Sequence, residues 1–96
     1  GEDMQNPAEE FVKNQINNNE IVIFGSITCP YCVKAKEFLD SKGKKYKFID
    51  LADLNDFGIN VSQYLYQITS LYSIPNVFIN RKPIGGYSSL ISYFPN

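Results

Sequence analysis

Thr28-Cys29-Pro30-Tyr31-Cys32 runs directly into Val33-Lys34-Ala35-Lys36-Glu37-Phe38-Leu39 and holds the only two cysteines of this 96-residue chain. Ahead of it, Ile21-Val22-Ile23-Phe24 is a short apolar run that reads as a buried strand. Behind it, the stretch from Val33 to Lys42 has helical composition, with Cys32, Ala35, Phe38 and Leu39 at the spacing of one helix face. The pair therefore falls where a strand hands over to a helix. There the unpaired N–H groups of the first turn and the positive end of the helix dipole favour an anion. The reactive form of cysteine is the thiolate, and a free thiol titrates near ~8.5. Pro30 fits the first helical position, where its missing N–H costs nothing. That puts Cys29 at the helix start and Cys32 one turn inside, on the same side. Cys29 is the expected nucleophile and Cys32 the shielded resolving thiol. Lys34 and Lys36 add positive potential without being aimed at Cys29.

Two blander readings compete. The cysteines could be inert, one in the core and one on the surface. They could also form half of a zinc site, but zinc takes four ligands and the chain has no histidine and no further cysteine, so such a site needs two chains. No metal site is expected within one chain. A Cys-x-x-Cys between a buried strand and a helix in a small α/β pattern points instead to redox chemistry.

Length and composition bound the rest. Ninety-six residues suit one domain with one core, and 44% apolar residues with seven Phe and seven Tyr make it globular. Net charge is −1, and the one basic cluster, Lys42-Gly43-Lys44-Lys45-Tyr46-Lys47, reads as a solvated turn rather than a nucleic-acid patch. No run approaches the ~20 apolar residues of a membrane span. No signal-peptide pattern is visible, although the Gly1-Glu2-Asp3 start is compatible with a removed leader. Two cysteines are too few for a secreted disulfide scaffold, so a reducing, cytoplasmic setting is expected.

In chain order, residues 1–6 read as a flexible N-terminal segment and 7–96 as the folded domain. Asn6 caps a helix over Pro7 to Ile16, with Phe11, Val12 and Ile16 on one face. A strand covers about Glu20 to Phe24. After the cysteine helix, Gly43 suits a left-handed cap, and Lys45 to Leu51 alternates as a strand, giving a right-handed βαβ unit. Ala52 to Gly58 reads as loop. Asn60-Val61-Ser62-Gln63 resembles a capping box opening a helix through Leu71. Ser73-Ile74-Pro75 leads into a strand at Asn76 to Ile79, a tight turn at Asn80-Arg81-Lys82, and an antiparallel strand at Pro83-Ile84. Gly85-Gly86 breaks it, and Ser88 is the expected cap of a short last helix. The order α-β-α-β-α-β-β-α predicts an α/β fold: a four-stranded mixed sheet flanked by helices on both faces.

Cys29-Pro30-Tyr31-Cys32, Ser73-Ile74-Pro75, Asn76-Val77-Phe78-Ile79 and Ile84-Gly85-Gly86 together resemble the dithiol glutaredoxins, of the thioredoxin fold. The matching motifs run from about Ile21 to Leu90. The resemblance implies a thiol–disulfide oxidoreductase that uses glutathione as reductant and carries no permanently bound cofactor. Its substrates would be glutathionylated or disulfide-bonded proteins and small disulfides, and the protein would be a monomer without nucleic-acid or membrane partners. It further implies that Pro75 is cis and faces the cysteines. The backbone at Ile74 would pair with the cysteinyl unit of glutathione. The N–H groups of Tyr87 and Ser88, after Gly86, would hold its γ-glutamyl carboxylate. Tyr31 would line the groove.

Three positions depart from the family pattern. Ser26 replaces a common lysine, Ser62 replaces a Gln or Arg, with Gln63 one residue away, and Ser89 replaces an acid. Each lost charge-assisted contact removes ~1.5–3 kcal/mol of gross interaction. These losses motivate a second reading, a thioredoxin-like disulfide reductase with weakened glutathione binding. A third is a cluster binder, in which two chains and two glutathiones supply four sulfurs to iron. The proline after the first cysteine speaks against the third in this family.

Overall fold

The computed structural model describes residues 6–95. Its elements are α1 (Pro7–Asn18), β1 (Ile21–Gly25), α2 (Pro30–Ser41), β2 (Lys47–Asp50), a 3-10 turn (Leu51–Leu54), α3 (Asp56–Thr69), β3 (Asn76–Ile79), β4 (Lys82–Gly85) and α4 (Tyr87–Tyr93). Of the expected N-terminal segment, residues 1–5 lie outside the described residues, whereas Asn6 belongs to the fold. Its Oδ1 accepts a hydrogen bond from the Ala8 N–H at 2.8 Å, closing the first turn of α1.

The sheet has the order β2-β1-β3-β4. β1 runs parallel to β2 and antiparallel to β3, and β3 pairs antiparallel with β4. The mixed sheet is therefore the expected one. β1 is buried along its whole length because both of its faces are covered. Side chains alternate across a strand: Val22 and Phe24 face a core built with Ala8 and Val12 of α1 and Val61 and Leu65 of α3. Ile21 and Ile23 face a second core, with Ala35 and Leu39 of α2 and Leu90 of α4. The cysteine helix and α4 thus share one side of the sheet.

Three local expectations are corrected. The segment read as loop from Ala52 to Gly58 is a 3-10 turn followed by the first turn of α3. Asp50 starts the 3-10 turn, its Oδ1 accepting from the Ala52 N–H at 3.1 Å. Asn55, at φ 56°, separates turn from helix, so Asn60-Val61-Ser62-Gln63 lies inside α3 and caps nothing. Gly58 is tolerated within the helix because a Cβ there would stand 2.2 Å from the Leu51 carbonyl oxygen; its bare Cα lets the 3-10 turn pack against α3. At the other end, α4 is capped by Gly86 and not by Ser88.

Other boundaries move by a residue or two: β2 is Lys47–Asp50, α3 ends at Thr69, and β4 takes in Lys82 and Gly85. Gly43 takes φ +67° just past α2, the left-handed cap that glycine favours. Asn80 and Arg81 both have positive φ, the backbone of a two-residue hairpin turn between β3 and β4.

Candidate active site

Strand β1 ends at Gly25, and five residues later Pro30 opens α2, with Cys29 as the N-cap. The intervening loop is tied by Ser26. Its carbonyl accepts the Cys29 N–H at 3.2 Å. Its hydroxyl accepts the Thr28 N–H at 3.2 Å and lies 2.9 Å from Thr28 Oγ1. Its own N–H donates to Cys32 Sγ at 3.5 Å. One serine therefore fixes both ends of the cysteine pair, and its side chain is spent on Thr28.

The two thiols occupy different environments. Cys29 is partly accessible, while Cys32 has 0% exposure. Burial pushes the Cys29 thiol up, but N–H groups of the first helical turn, from Cys32 and Tyr31, and the Cys32 thiol outweigh it. The net result lies below the ordinary value. Burial, with the neighbouring Cys29 adding to it, pushes Cys32 to about 11, against the opposing pull of the Ser26 N–H and the Lys36 charge. A thiolate is thus favoured at the helix start and disfavoured one turn in. Lys34 turns to the Tyr31 ring at 5.3 Å and Lys36 to the Phe48 ring at 4.6 Å, so neither ammonium caps Cys29.

Opposite Cys29 lies the segment between α3 and β3. The Ile74–Pro75 peptide bond is cis, and the Cys29 thiol donates to the Ile74 carbonyl at 3.8 Å. Thr69, the last residue of α3, anchors this segment: its hydroxyl donates to the Leu65 carbonyl at 2.7 Å and accepts from the Leu71 N–H at 3.1 Å. It also accepts from Asn76 Nδ2 at 3.2 Å. A second brace is the face-to-face stack of Tyr66 on Tyr72, with centroids 4.2 Å apart.

An open groove of about 320 Å³ runs beside Cys29, lined by Tyr31, Ser73, Ile74, Pro75, Gly86, Tyr87 and Ser88. All six residues expected to contact glutathione therefore share one cavity. Ser73 joins them, a residue that the Ser73-Ile74-Pro75 motif contains without marking it as part of the site. Tyr31 is 56% exposed and still lines the groove, with its ring 5.7 Å from that of Tyr87. A Cβ on Gly86 would meet nothing closer than the Pro75 carbonyl at 3.6 Å, so the fold itself does not require glycine there. None of the lining residues is charged. The departures at Ser26, Ser62 and Ser89 are not compensated by another charged side chain in that lining.

Other features bear on partners. Among the described residues, no helix is long and apolar enough to cross a membrane. No group of three or more His, Cys, Asp or Glu among them could hold a metal ion.

Comparison with known proteins follows the same lines. The family model described as Glutaredoxin matches residues 21–84. Glutaredoxin-1 of Mus musculus is 39% identical over 88 residues, spanning 88% of this chain and 81% of that protein. Glutaredoxin-1 of variola virus is 35% identical over 86 residues, 88% and 80% of the two chains. The crystal structure of the buckwheat glutaredoxin–glutathione complex matches with a TM-score of 0.84 at 34% identity, covering 88% of this chain and 76% of that one. The holo form of glutaredoxin C1 from Populus tremula x tremuloides gives a TM-score of 0.84 at 31% identity, covering 91% and 85%. With its Cys-x-x-Cys at the start of α2 and its four-stranded sheet, the chain belongs to the glutaredoxin family of thiol–disulfide oxidoreductases, with the thioredoxin fold.

Proposed function

We propose that the protein reduces glutathione mixed disulfides and small disulfides, with Cys29 as nucleophile and glutathione as both ligand and reductant. The observation that carries this reading is the placement of an accessible, acidified thiol 3.8 Å from the Ile74 carbonyl, beside an open groove shaped by Tyr31, Ile74-Pro75 and Gly86-Tyr87-Ser88. The buckwheat relative is described as a glutathione complex, which agrees with the same ligand here.

The chemistry follows from the two environments. Cys29 thiolate attacks the glutathionyl sulfur of a mixed disulfide; the old S–S bond breaks, and the substrate leaves as a thiolate that takes up a proton. Deprotonating Cys29 also ends its donation to Ile74, which leaves that carbonyl free to accept from the backbone of the bound tripeptide. The N–H groups of Tyr87 and Ser88, at the start of α4, face the γ-glutamyl carboxylate. A second glutathione thiolate then attacks the bound glutathionyl sulfur. Oxidised glutathione departs, and Cys29 returns as the stabilised leaving group. On the alternative branch Cys32 loses its proton and attacks Cys29, giving the intramolecular disulfide and releasing glutathione. Burial of Cys32, which holds its proton to about 11, leaves little of its thiolate at neutral pH and so slows that branch.

Single variants test the roles. Cys29→Ser abolishes deglutathionylation of a model peptide, whereas Cys32→Ser closes only the intramolecular branch. The opposite pattern would exchange the two assignments.

One observation favours a second reading. With no charge in its lining, the groove offers glutathione backbone, hydroxyl, aliphatic and aromatic contacts but no charged side chain, which suits a thioredoxin-like protein disulfide reductase. Steady-state rates with glutathione and with thioredoxin reductase as electron donors separate the two: preference for the reductase supports the second. The cluster-binding alternative requires sulfurs beyond the two of one chain. A colourless protein after anaerobic reconstitution with iron, sulfide and glutathione disposes of it. Action in the cytoplasm as a monomer completes the proposal, checked by fractionation and by sedimentation.

A further inference from the structure

Gly25 closes β1 with a φ outside the left-handed region, so its backbone does not call for glycine. Space does. A Cβ at this position would stand 2.4 Å from Cys32 Sγ, while the next neighbours, Cys32 Cβ at 3.4 Å and Phe48 Cε1 at 3.5 Å, are at ordinary contact distance. The single obstruction is the resolving sulfur. The adjacent Ser26 N–H donates to that same sulfur at 3.5 Å. We propose that Gly25 and the Ser26 N–H form a seat for the Cys32 sulfur that stabilises the dithiol form over the Cys29–Cys32 disulfide. They are positioning residues, and the inference rests on the glutathione-coupled reading above.

The physical argument is one of competing positions. Closing the disulfide draws the two sulfurs to about 2.05 Å. With both cysteines free, Cys32 Sγ sits where the Ser26 N–H reaches it at 3.5 Å and where the missing Cβ leaves it room. The seat therefore belongs to the reduced state, and a reduced state so held makes the couple easier to reduce. The equilibrium is balanced: the protein disulfide and two glutathione thiols give two protein thiols and oxidised glutathione.

Gly25→Ala fills the seat. The obstructed atom terminates one rotatable bond, so the sulfur turns aside while β1 stays in place. In glutathione redox buffers the equilibrium of the full chain is expected to move toward the Cys29–Cys32 disulfide by at least about fivefold. At 29.6 mV per tenfold change, this is a potential about 20 mV more negative. An equilibrium constant within twofold of the parent, or a shift toward the dithiol, overturns the proposal. If Gly25→Ala is too unstable to titrate, a thermal cycle decides. The melting-temperature loss from Gly25→Ala must vanish in a Cys32→Ala background, where the sulfur is gone, and a loss that persists there overturns the seat. The two levels of the argument fail separately. A parent chain that exchanges no disulfide with glutathione removes the functional reading, yet the thermal cycle still decides the seat. A parent that exchanges normally but is indifferent to Gly25→Ala removes the seat alone.

Discussion

Thr69→Val isolates the brace behind the Ile74–Pro75 segment. The Thr69 hydroxyl has one hydrogen and two lone pairs, and all three are used, toward Leu65, Leu71 and Asn76. Asn76 is 1% exposed, and its Oδ1 has no partner among the described residues. Valine keeps the shape and removes the hydroxyl, which strands the Asn76 amide inside β3. An unsatisfied buried polar group costs ~1–3 kcal/mol. The half-buried Leu71 N–H, which water can partly recover, adds ~0.5–1 kcal/mol. The sum is about 1.5–4 kcal/mol. At ~4–8 °C per kcal/mol for a domain of this size, the melting temperature drops by at least ~6 °C and by up to ~30 °C. Urea denaturation and calorimetry of parent, Thr69→Val, Thr69→Ser and Thr69→Val with Asn76→Val measure it. Serine retains the hydroxyl and loses less than ~1.5 kcal/mol with the methyl group. The double variant recovers at least half of the loss, since replacing both partners by apolar groups can be nearly neutral. Thr69→Val melting within 2 °C of the parent, or Thr69→Ser losing as much, would refute the argument.

Further outcomes follow from the same coordinates. The alkylation rate of Cys29 should rise with pH and level off below the ordinary thiol value, because its thiolate is stabilised in the fold; a rise that continues through that value contradicts the helix-start argument. Stability should respond with opposite signs at the two sulfurs. The depressed Cys29 value contributes stability above the ordinary thiol value, and this is lost as pH falls through the folded one. The raised Cys32 value favours the fold below the ordinary value and is lost as pH climbs toward about 11. Comparing urea midpoints of the parent and Cys32→Ser above pH 9 checks the second sign: the parent should lose stability with pH more steeply. Gly58→Ala should destabilise despite a helix-propensity gain of ~1 kcal/mol, because its Cβ would meet the Leu51 carbonyl at 2.2 Å and backbone cannot rotate aside. A net loss of ~1–3 kcal/mol is expected by chemical denaturation, and a gain would show that the 3-10 turn yields freely.

What could be read from the chain depended on whether the signal was local. The all-apolar β1 and the proline after Cys29 state their structure within a few residues, and both lie where expected. The groove was placed only through the likeness of separated motifs, since Tyr31, Ile74 and Gly86 share no local pattern. The start of α3 was misplaced because Gly58 looks like a breaker. Its tolerance depends on a contact with Leu51 across the preceding turn, which no propensity contains. Asn60-Val61-Ser62-Gln63 offered a plausible cap at an interior position, and burial of Val61 and Leu65 on the sheet outweighed it. In the sequence Ser26 shows only a missing charge, while its backbone role toward both cysteines is a matter of loop geometry.

Strand β1 is gripped by apolar layers above and below, and its last residue underlies the reactive pair. The platform beneath the chemistry is therefore packed on both faces, while Pro30 and Tyr31 are exposed, Tyr31 meeting the Tyr87 ring across the groove. Exchange should be tolerated at those exposed residues and rejected along Ile21 to Phe24, with Gly25 the one platform position where only a sulfur stands in the way. A library randomising both regions, sorted first for folding and then for turnover, would reveal that division of labour as two separate tolerance maps.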